Sequence, residues 1–306
     1  MLPNLESIST RLKLRHFRLL IAIDDHGSLL KAADAVGISQ PGATKALQEI
    51  EDAIGNALYV RTNRGLRPNE LGHCATRYAR LIYQDVTHLR EEIGGILDGH
   101  GGRLAVGTIM GAVPLLTDHL TQLLERQPAI RVELVEDTSA HLLDLLDNGR
   151  LEMAICRTSV SPRPDVYDDH RISDEQLAVV ANVGHPLVSG PARLSDLADS
   201  TWIVYAANMP MRRYLEQEFQ NQGLRFPTSL IETTSAFSTL ALLQRNPAFV
   251  ALLSTEVANV LSRTRTTTML PIALPARSEP YYLVRRSDRT LSPIAESFWH
   301  GMVNSP

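Results

Sequence analysis

The sequence has little of what several classes of protein need. It contains only two cysteines, Cys74 and Cys156, among 306 residues, which is too few for a disulfide framework and predicts a reducing compartment. No basic segment followed by an apolar segment stands at the N-terminus, so we expect no secretory signal. No run of 18 apolar residues occurs, so we predict no transmembrane helix and a cytoplasmic protein.

Catalytic and metal-binding signatures are also missing from the sequence. There is no HExxH, no GxSxG, no P-loop, and no GxGxxG after a predicted strand. The ten histidines are scattered, and none stands with cysteines or carboxylates at the spacing of a metal site. We therefore predict that the chain is not an enzyme and that it holds no metal and no cofactor.

Charge is distributed unevenly along the chain. The formal net charge is −4, yet residues 1–81 carry a net +3 and the remaining residues a net −7. Basic charge is therefore concentrated modestly in the N-terminal part. A local patch matters more to an anionic partner than the total charge does.

The stretch from Ser28 to Gly55 is the most informative part of the sequence and predicts two helices with a tight break between them. The apolar residues of the first helix, spaced for one face, are Leu29, Ala32, Ala33 and Val36. Gly37 follows where a helix end often needs a positive φ. Ser39 is placed to cap the second helix, and Pro41 falls in its first turn, where a missing N–H costs nothing.

The second helix has an apolar face and a polar face. The residues predicted to be buried are Ala43, Ala46, Leu47, Ile50 and Ile54, and those predicted to face outward are Gln40, Thr44, Lys45 and Gln48. The outward set has hydrogen-bonding groups, one cation and no acid, which suits a helix in the DNA major groove. The alternative interpretation is an ordinary helical hairpin with a solvated face.

A hairpin with three arginines follows these helices. The segment from Leu58 to Arg61 is strand-like, Thr62–Gly65 forms a turn and Leu66–Pro68 returns. The three arginines are Arg61, Arg64 and Arg67. A wing of this kind would place them against the phosphate backbone, which supplies most of the non-specific affinity for DNA.

These motifs resemble the winged helix-turn-helix of LysR-type transcriptional regulators. The residues that carry the resemblance are Ser39-Gln40-Pro41, Thr44-Lys45, Ile50-Glu51, Gly55, Leu58-Tyr59 and Arg61. The chain departs from the family pattern at Pro68-Asn69, where Leu-Thr is usual, but asparagine caps a helix as well as threonine. The resemblance implies a DNA-binding domain over 1–68. It would contact double-stranded DNA through Ser39, Gln40, Pro41, Thr44, Lys45, Arg61 and Arg64.

Residues 69–97 form one long amphipathic pattern. Its apolar positions, called here the linker stripe, are Leu71, Ala75, Tyr78, Ile82, Val86, Leu89, Ile93 and Leu97. A second copy of the same helix is the simplest cover for such a stripe, so we predict a dimerisation helix within a linker over 69–102, with a glycine-rich hinge at 98–102. The alternative is a long helix packed on its own domain.

From Arg103 onward short strands alternate with helices, which predicts parallel sheets covered by helices. The resemblance implies two α/β lobes joined by two crossover strands, similar to periplasmic binding proteins, over 103–306. We place lobe one at about 103–163 and 268–306, and lobe two at about 164–267. The predicted fold class is thus a multidomain α+β and α/β protein with an N-terminal winged helix-turn-helix.

Ligands of open α/β sheets bind beyond the carboxyl ends of the strands. The polar and flexible side chains that follow those ends are Thr108, Met110, Asn208, Thr234 and Ser235, which we predict to contact a small anion or polyol. The alternative is that the hydroxyl and amide groups among them only cap helices. The C-terminal segment, from Pro280 to Trp299, resembles family members that sense aromatic acids or sugars.

Together these features predict a cytoplasmic LysR-type regulator that is a homodimer or homotetramer. We expect its partners to be double-stranded DNA, a small-molecule effector and RNA polymerase, with no membrane partner. A transport binding protein would need a secretory signal and would lack residues 1–97, and a two-lobed α/β enzyme would need a catalytic constellation.

Overall fold

The computed structural model describes residues 3–62, 65–97, 102–207, 209–274 and 277–304. Its internal contacts divide the chain into two compact units. The first contains the residues up to Arg103 together with Asp144–Leu151, and the second contains Leu104–Leu143 and Glu152 to the C-terminus. Each unit has its own apolar core, so each is described separately.

The first unit is a winged helix-turn-helix followed by a long helix. Its helices are α1 (Leu5–Arg11), α2 (Leu14–His26), α3 (Leu29–Val36), α4 (Gln40–Ile54) and α5 (Glu70–Leu97), and its strands are β1 (Tyr59–Thr62) and β2 (Gly65–Pro68). The core between them includes the fully buried side chains of Leu19, Leu20, Ile23, Ile50 and Leu58. Helix α1 was not predicted from the sequence.

The break between α3 and α4 is as predicted. Gly37 has φ +74°, and its N–H is donated to the carbonyls that end α3. The Ser39 hydroxyl oxygen accepts from the N–H of Gly42 at 3.2 Å and so caps α4. The buried face differs in one respect, because Ala53 is fully buried whereas Ala46 and Ile54 are half-buried. Ala53 lies one turn from Ile50 on the side that the core covers.

The wing is tied to α4 by one carboxylate. Glu51 Oε1 accepts from the backbone N–H of Leu58 at 2.7 Å and of Tyr59 at 3.3 Å. Strands β1 and β2 then pair antiparallel, with Tyr59 opposite Pro68. Gly65 has φ +116°, and a Cβ there would lie 2.7 Å from the carbonyl oxygen of Gly27. The predicted hairpin is confirmed, and its turn at 63–64, which contains Arg64, is outside the described residues.

Helix α5 begins within one residue of its predicted start because Asn69 caps it, its Oδ1 accepting from the N–H of Gly72 at 2.9 Å. The first half of α5 also packs against its own domain. Ala79 lies in the core around α2, and the Thr76 hydroxyl lies 3.4 Å from that of Tyr59. Arg80 reaches Asp24 and Asp25 on α2. This contact face overlaps the linker stripe at Ala75, which also packs against that core, while Leu71 and Leu89 of the stripe stay exposed.

The second part of the chain contains nine strands and six helices among the described residues. The helices are α6 (Val113–Arg126), α7 (Ser139–Asp147), α8 (Pro210–Asn221), α9 (Ala236–Arg245), α10 (Thr255–Ser262) and α11 (Pro293–Val303). The strands are β3 (Arg103–Thr108), β4 (Arg131–Glu136), β5 (Met153–Cys156), β6 (Tyr167–Asn182), β7 (Thr201–Val204), β8 (Leu230–Glu232), β9 (Phe249–Ser254), β10 (Thr267–Met269) and β11 (Arg277–Arg286).

Two long strands join the lobes of this unit. The strand order is β4-β3-β5-β11-β6-β9-β7-β8, and β10 also pairs with β6. The first half of β6 pairs with β11, which in turn pairs with β5. The second half of β6 pairs with β9 and β10. Strands β6 and β11 are therefore the two crossover strands that the resemblance implied.

The boundaries between the lobes differ from those predicted. Residues from about 164 onward were assigned to lobe two, but strand β6 begins at Tyr167, and residues 167–176 pair with β11 beside lobe one. The first half of β6 is rich in charged residues, so it lacked the apolar run of a buried strand. Residues 268–274 were assigned to lobe one, but β10 pairs with the second half of β6 and Leu270 packs in the core of lobe two. Lobe one therefore resumes at β11.

Two glycines of α5 provide a matched test of the packing in the first unit. A Cβ at Gly72 would lie 2.2 Å from the backbone oxygen of Leu58, whereas a Cβ at Gly94 meets nothing within 4 Å. We expect Gly72→Ala to destabilise the first unit by about 1–3 kcal/mol through overpacking. We expect Gly94→Ala to stabilise α5 by about 0.5–1 kcal/mol. Native-state hydrogen exchange of the α2 and α4 amides measures the first effect. Equal hydrogen-exchange rates of these amides in Gly72→Ala and Gly94→Ala would contradict the close approach of Gly72 to Leu58.

Candidate functional site

The outward face of α4 is the first candidate site. Gln40, Thr44, Lys45 and Gln48 are all exposed, as predicted. The Thr44 hydroxyl donates to the carbonyl of Gln40 at 3.1 Å, and the Gln48 amide donates to Asp52 at 2.8 Å. The side chains of Gln40 and Lys45 make no hydrogen bond or ion pair within the described part of the chain, so their polar groups are available to a partner.

The residues around this face have different roles. Pro41 is exposed in the first turn of α4. Ser39 is also exposed, but its oxygen is already the N-cap acceptor for Gly42. Arg61 belongs to β1, although its side chain is outside the described residues, and Arg64 is outside them altogether. Arg67, which we did not include among the contact residues, is exposed on β2.

The second candidate site lies at the carboxyl ends of the strands in the two-lobed unit. Thr108 is fully buried, and its hydroxyl donates to the carbonyl of Ile109 at 3.0 Å. Met110 follows β3 but packs against apolar clusters of lobe two. Its Sδ atom lies 4.0 Å from the hydroxyl of Tyr205, at the end of β7. The fold therefore brings Met110 across to the other lobe.

The remaining predicted residues lie at the next strand. Thr234 and Ser235 are exposed after β8, which pairs with β7 in parallel. The Ser235 oxygen accepts from the N–H of Ser238 at 3.1 Å and caps α9, as the capping interpretation predicts. Asn208 lies outside the described residues. The structure thus places Thr234 and Ser235 at the same strand edge as Tyr205.

A buried ion pair at this edge was not identified from the sequence. Arg157 follows β5 and donates to Glu175 on β6, and both side chains are over nine-tenths buried. The Arg157 Nε atom also donates to the carbonyl of Glu279 on β11 at 3.1 Å. A Cβ at Gly111 would lie 2.0 Å from Glu175 Oε1. One ion pair therefore fixes both crossover strands to lobe one.

Tyr205 is the other polar group that the sequence analysis missed. Burial raises the pKa of Tyr205, and the carboxylates of Glu175 and Glu136 raise it further. The phenol therefore stays protonated and acts as a hydrogen-bond donor. Its hydroxyl donates to the thioether of Met110 at 4.0 Å, and a thioether is a weak acceptor. A stronger acceptor in the cleft would compete well for this donor.

The described residues also bear on a reactive thiol, a metal cluster and a membrane helix. Burial raises the pKa of the Cys156 thiol to about 12, so it stays a neutral core side chain. Within the described ranges no three His, Cys, Asp or Glu residues lie close enough together to hold a metal ion. No described helix is both long enough and apolar enough to cross a membrane.

The two sites define a class of protein, namely a DNA-binding transcriptional regulator with a two-lobed effector-binding unit. Family models agree with this class. The model described as "Bacterial regulatory helix-turn-helix protein, lysR family" matches residues 14–73, and "LysR substrate binding domain" matches residues 97–304. The chain belongs to the LysR family of transcriptional regulators.

The chain is similar to individual relatives and solved structures. The chain is 33% identical to the transcriptional regulator GbpR of Azospirillum brasilense, over 95% of this chain and 85% of that protein. Full-length CbnR in complex with its target DNA superposes with TM-score 0.64 at 20% identity, covering 95% of this chain and 99% of that one. The effector-binding domain of QuiR with shikimate has TM-score 0.53 at 16% identity, over 67% and 96%. The predicted fold class is confirmed.

Proposed function

We propose that the chain regulates transcription by reading an operator with the outward face of α4. The observation that carries this proposal is the exposed set Gln40, Thr44 and Lys45 on a helix whose opposite face is fixed in the core. Glutamine and threonine have the groups that recognise base edges, and lysine is suited to a phosphate. Pro41 and Ser39 start the helix beside the bases, while Arg61 and Arg64 hold the backbone from the wing.

Gln40 is the proposed base-reading residue whose side chain makes no hydrogen bond within the described part of the chain. We expect Gln40→Ala to cost about 1–3 kcal/mol at one operator position and to relax specificity at that position only. Gln122→Ala, which removes an exposed glutamine from α6, is the matched control. Binding of single-base operator variants, measured by gel shift, tests this. Unchanged discrimination in the Gln40 variant would remove Gln40 from the reading set.

The linker stripe supports a homodimer or homotetramer as the functional form. Several of its large apolar side chains are exposed in the single chain, with Leu71 at 48%, Leu89 at 57% and Ile93 at 49%. A neighbouring face of α5 already packs on α2 through Ala79 and Arg80. A helix of 28 residues with one face covered and one apolar face open is well suited to pair with its own copy.

Charge placed on the linker stripe tests this assembly. We expect Asp at both Ile82 and Leu89 to bury unpaired carboxylates in the seam and to abolish both the oligomer and operator binding. Thr87→Asp is the control, since Thr87 lies on another face of α5. Sedimentation of the full chain measures the outcome. An intact oligomer in the double variant would mean that the stripe is not the seam.

We propose that the effector binds in the cleft at the strand ends. We further propose that it is a neutral, sugar-type ligand with several hydroxyl groups rather than an aromatic acid. The charge of Arg157 is already neutralised by Glu175. The carboxylate of Glu136 lies near Tyr205, and Asp137 follows it at the end of β4. Carboxylates accept hydrogen bonds from hydroxyl groups and repel carboxylate ligands. The contacts proposed from the sequence are Thr108, Met110, Asn208, Thr234 and Ser235, to which Tyr205 is added.

A thermal-shift comparison of neutral sugars with small aromatic carboxylates separates the two ligand classes. A ligand at about 100 times its Kd should stabilise the chain by about 2.7 kcal/mol. Tyr205→Phe and Thr108→Val should each weaken binding of the active compound by about 1–3 kcal/mol if their hydroxyls contact it. Both variants should keep wild-type operator affinity without ligand. Stabilisation by carboxylates alone would contradict the sugar-type class.

The regulatory step follows from the two lobes. A ligand that contacts both lobes favours their closed arrangement, and the population shift alters the spacing of the paired DNA-binding domains. RNA polymerase would sense that change at the promoter, in the cytoplasm. No enzymatic activity is required of the chain in this scheme, in keeping with relatives that are transcriptional regulators.

A further inference from the structure

We propose that a half-open pocket between α2 and α4, which shares Lys45 with the predicted contact set, binds a phosphate group. The pocket has a volume of about 310 Å³. The charged residues that line it are Arg15, Arg18, Lys45 and Glu49. In the operator complex the phosphate would belong to the DNA backbone beside the half-site, so this occupant rests on the proposed DNA-binding function.

The charges around the pocket favour an anion. Three cations, Arg15, Arg18 and Lys45, face one carboxylate, that of Glu49. His16 lies behind Glu49 and adds no charge at neutral pH, because burial and the neighbouring Arg15 lower its pKa. The net charge around the pocket is therefore positive, which suits a phosphate.

Two of the three cations are available to a ligand. Arg18 and Lys45 form no ion pair with any part of the chain that the structure describes. Arg15 lies 3.7 Å from Glu49, and its side chain is 66% exposed. An exposed pair at that distance contributes little, so Arg15 can turn to a ligand. The N–H of Gly42 is already donated to Ser39, which leaves the side chains as the donors to the phosphate.

The lining of the pocket also has an apolar part. It consists of Leu19, Val36, Ile38 and Ala46. A nucleotide unit matches a lining of both kinds, because its sugar ring packs on apolar surface while its phosphate meets the cations. An isolated inorganic anion would use only the cations.

The position of Lys45 connects the pocket to DNA. Lys45 lines the pocket and also belongs to the outward face that contains Gln40 and Thr44. The pocket therefore opens beside the surface proposed to enter the major groove, where the flanking backbone runs. Backbone contacts of this kind set the register of a recognition helix without reading sequence.

Salt dependence of DNA binding by the full chain tests the proposal. Arg18→Ala should lower the slope of log K against log salt by about 0.9, on operator and random fragments alike, because one phosphate contact is lost. Glu49→Gln removes the opposing carboxylate, so it should tighten binding to both fragments. Arg213→Ala, which removes an exposed arginine from α8, is matched in net charge and should behave as wild type.

A second arm uses deoxyribose 5-phosphate without DNA and distinguishes the two sources of phosphate. A rise in the melting temperature of wild type that Arg18→Ala abolishes, with an unchanged salt slope, would assign the pocket to a free sugar phosphate. If Arg18→Ala reduces the salt slope and the melting-temperature arm shows no effect, the pocket is assigned to the DNA backbone. If Arg18→Ala matches wild type in both arms, or if Arg213→Ala lowers the slope equally, the proposal is wrong. Failure of wild type to bind DNA would overturn the proposed function, while the sugar-phosphate arm would still test the pocket.

Discussion

The two-lobed unit depends on one strand that belongs to both of its lobes. Strand β6 runs for 16 residues, pairing first with β11 and then with β9 and β10. Glu175 lies next to the point where the pairing changes. Its carboxylate meets Arg157 in a buried ion pair and leaves no room for a side chain at Gly111. Removing one partner of such a pair is costly because the other charge stays buried. The junction of the lobes therefore tolerates few residue types.

This junction also bears on the ligand class that we propose for the cleft. A buried arginine in a ligand cleft would ordinarily attract a carboxylate, but here the protein supplies that carboxylate itself. Two of the polar groups proposed for the cleft are the protonated hydroxyl of Tyr205 and the carboxylate of Glu136. The first donates hydrogen bonds and the second accepts them, and neither complements a full negative charge. The neutralised arginine and these two groups are the reasons for proposing a ligand rich in hydroxyl groups.

Local patterns in the sequence predicted local structure well. The glycine at 37, the cap at Ser39 and the cap at Asn69 each act within one helical turn, and each was anticipated with its physical reason. The outward face of α4 followed from periodicity alone. The first half of β6 was not predicted from periodicity, because its charged residues lack the apolar pattern of a buried strand. Pairing with β11 holds this segment in the sheet. Periodicity reports burial, and a strand half exposed to solvent gives a weak signal.

Contacts between distant residues could not be predicted in the same way. Arg157 meets Glu175 and the carbonyl of Glu279, which lies 122 residues away. No spacing in the sequence marks these partners, since only the strand order brings them together. The second face of α5 was missed for a related reason. Small residues such as Gly72 and Ala79 carry little hydrophobic signal, yet they allow α5 to approach the wing and α2 closely.

The distribution of charge explains how an acidic chain can bind DNA. Residues 1–81 carry a net +3 while the rest carries −7, and a field at a surface is dominated by the charges within about one Debye length, about 8 Å at physiological salt. Within that range the outward set of α4, made up of Gln40, Thr44, Lys45 and Gln48, contributes one cation and no acid. Glu51 points to the wing, where it accepts from two backbone N–H groups. These hydrogen bonds fix the carboxylate in place without removing its charge, so the field at the surface where DNA would lie depends on the local excess of Lys and Arg.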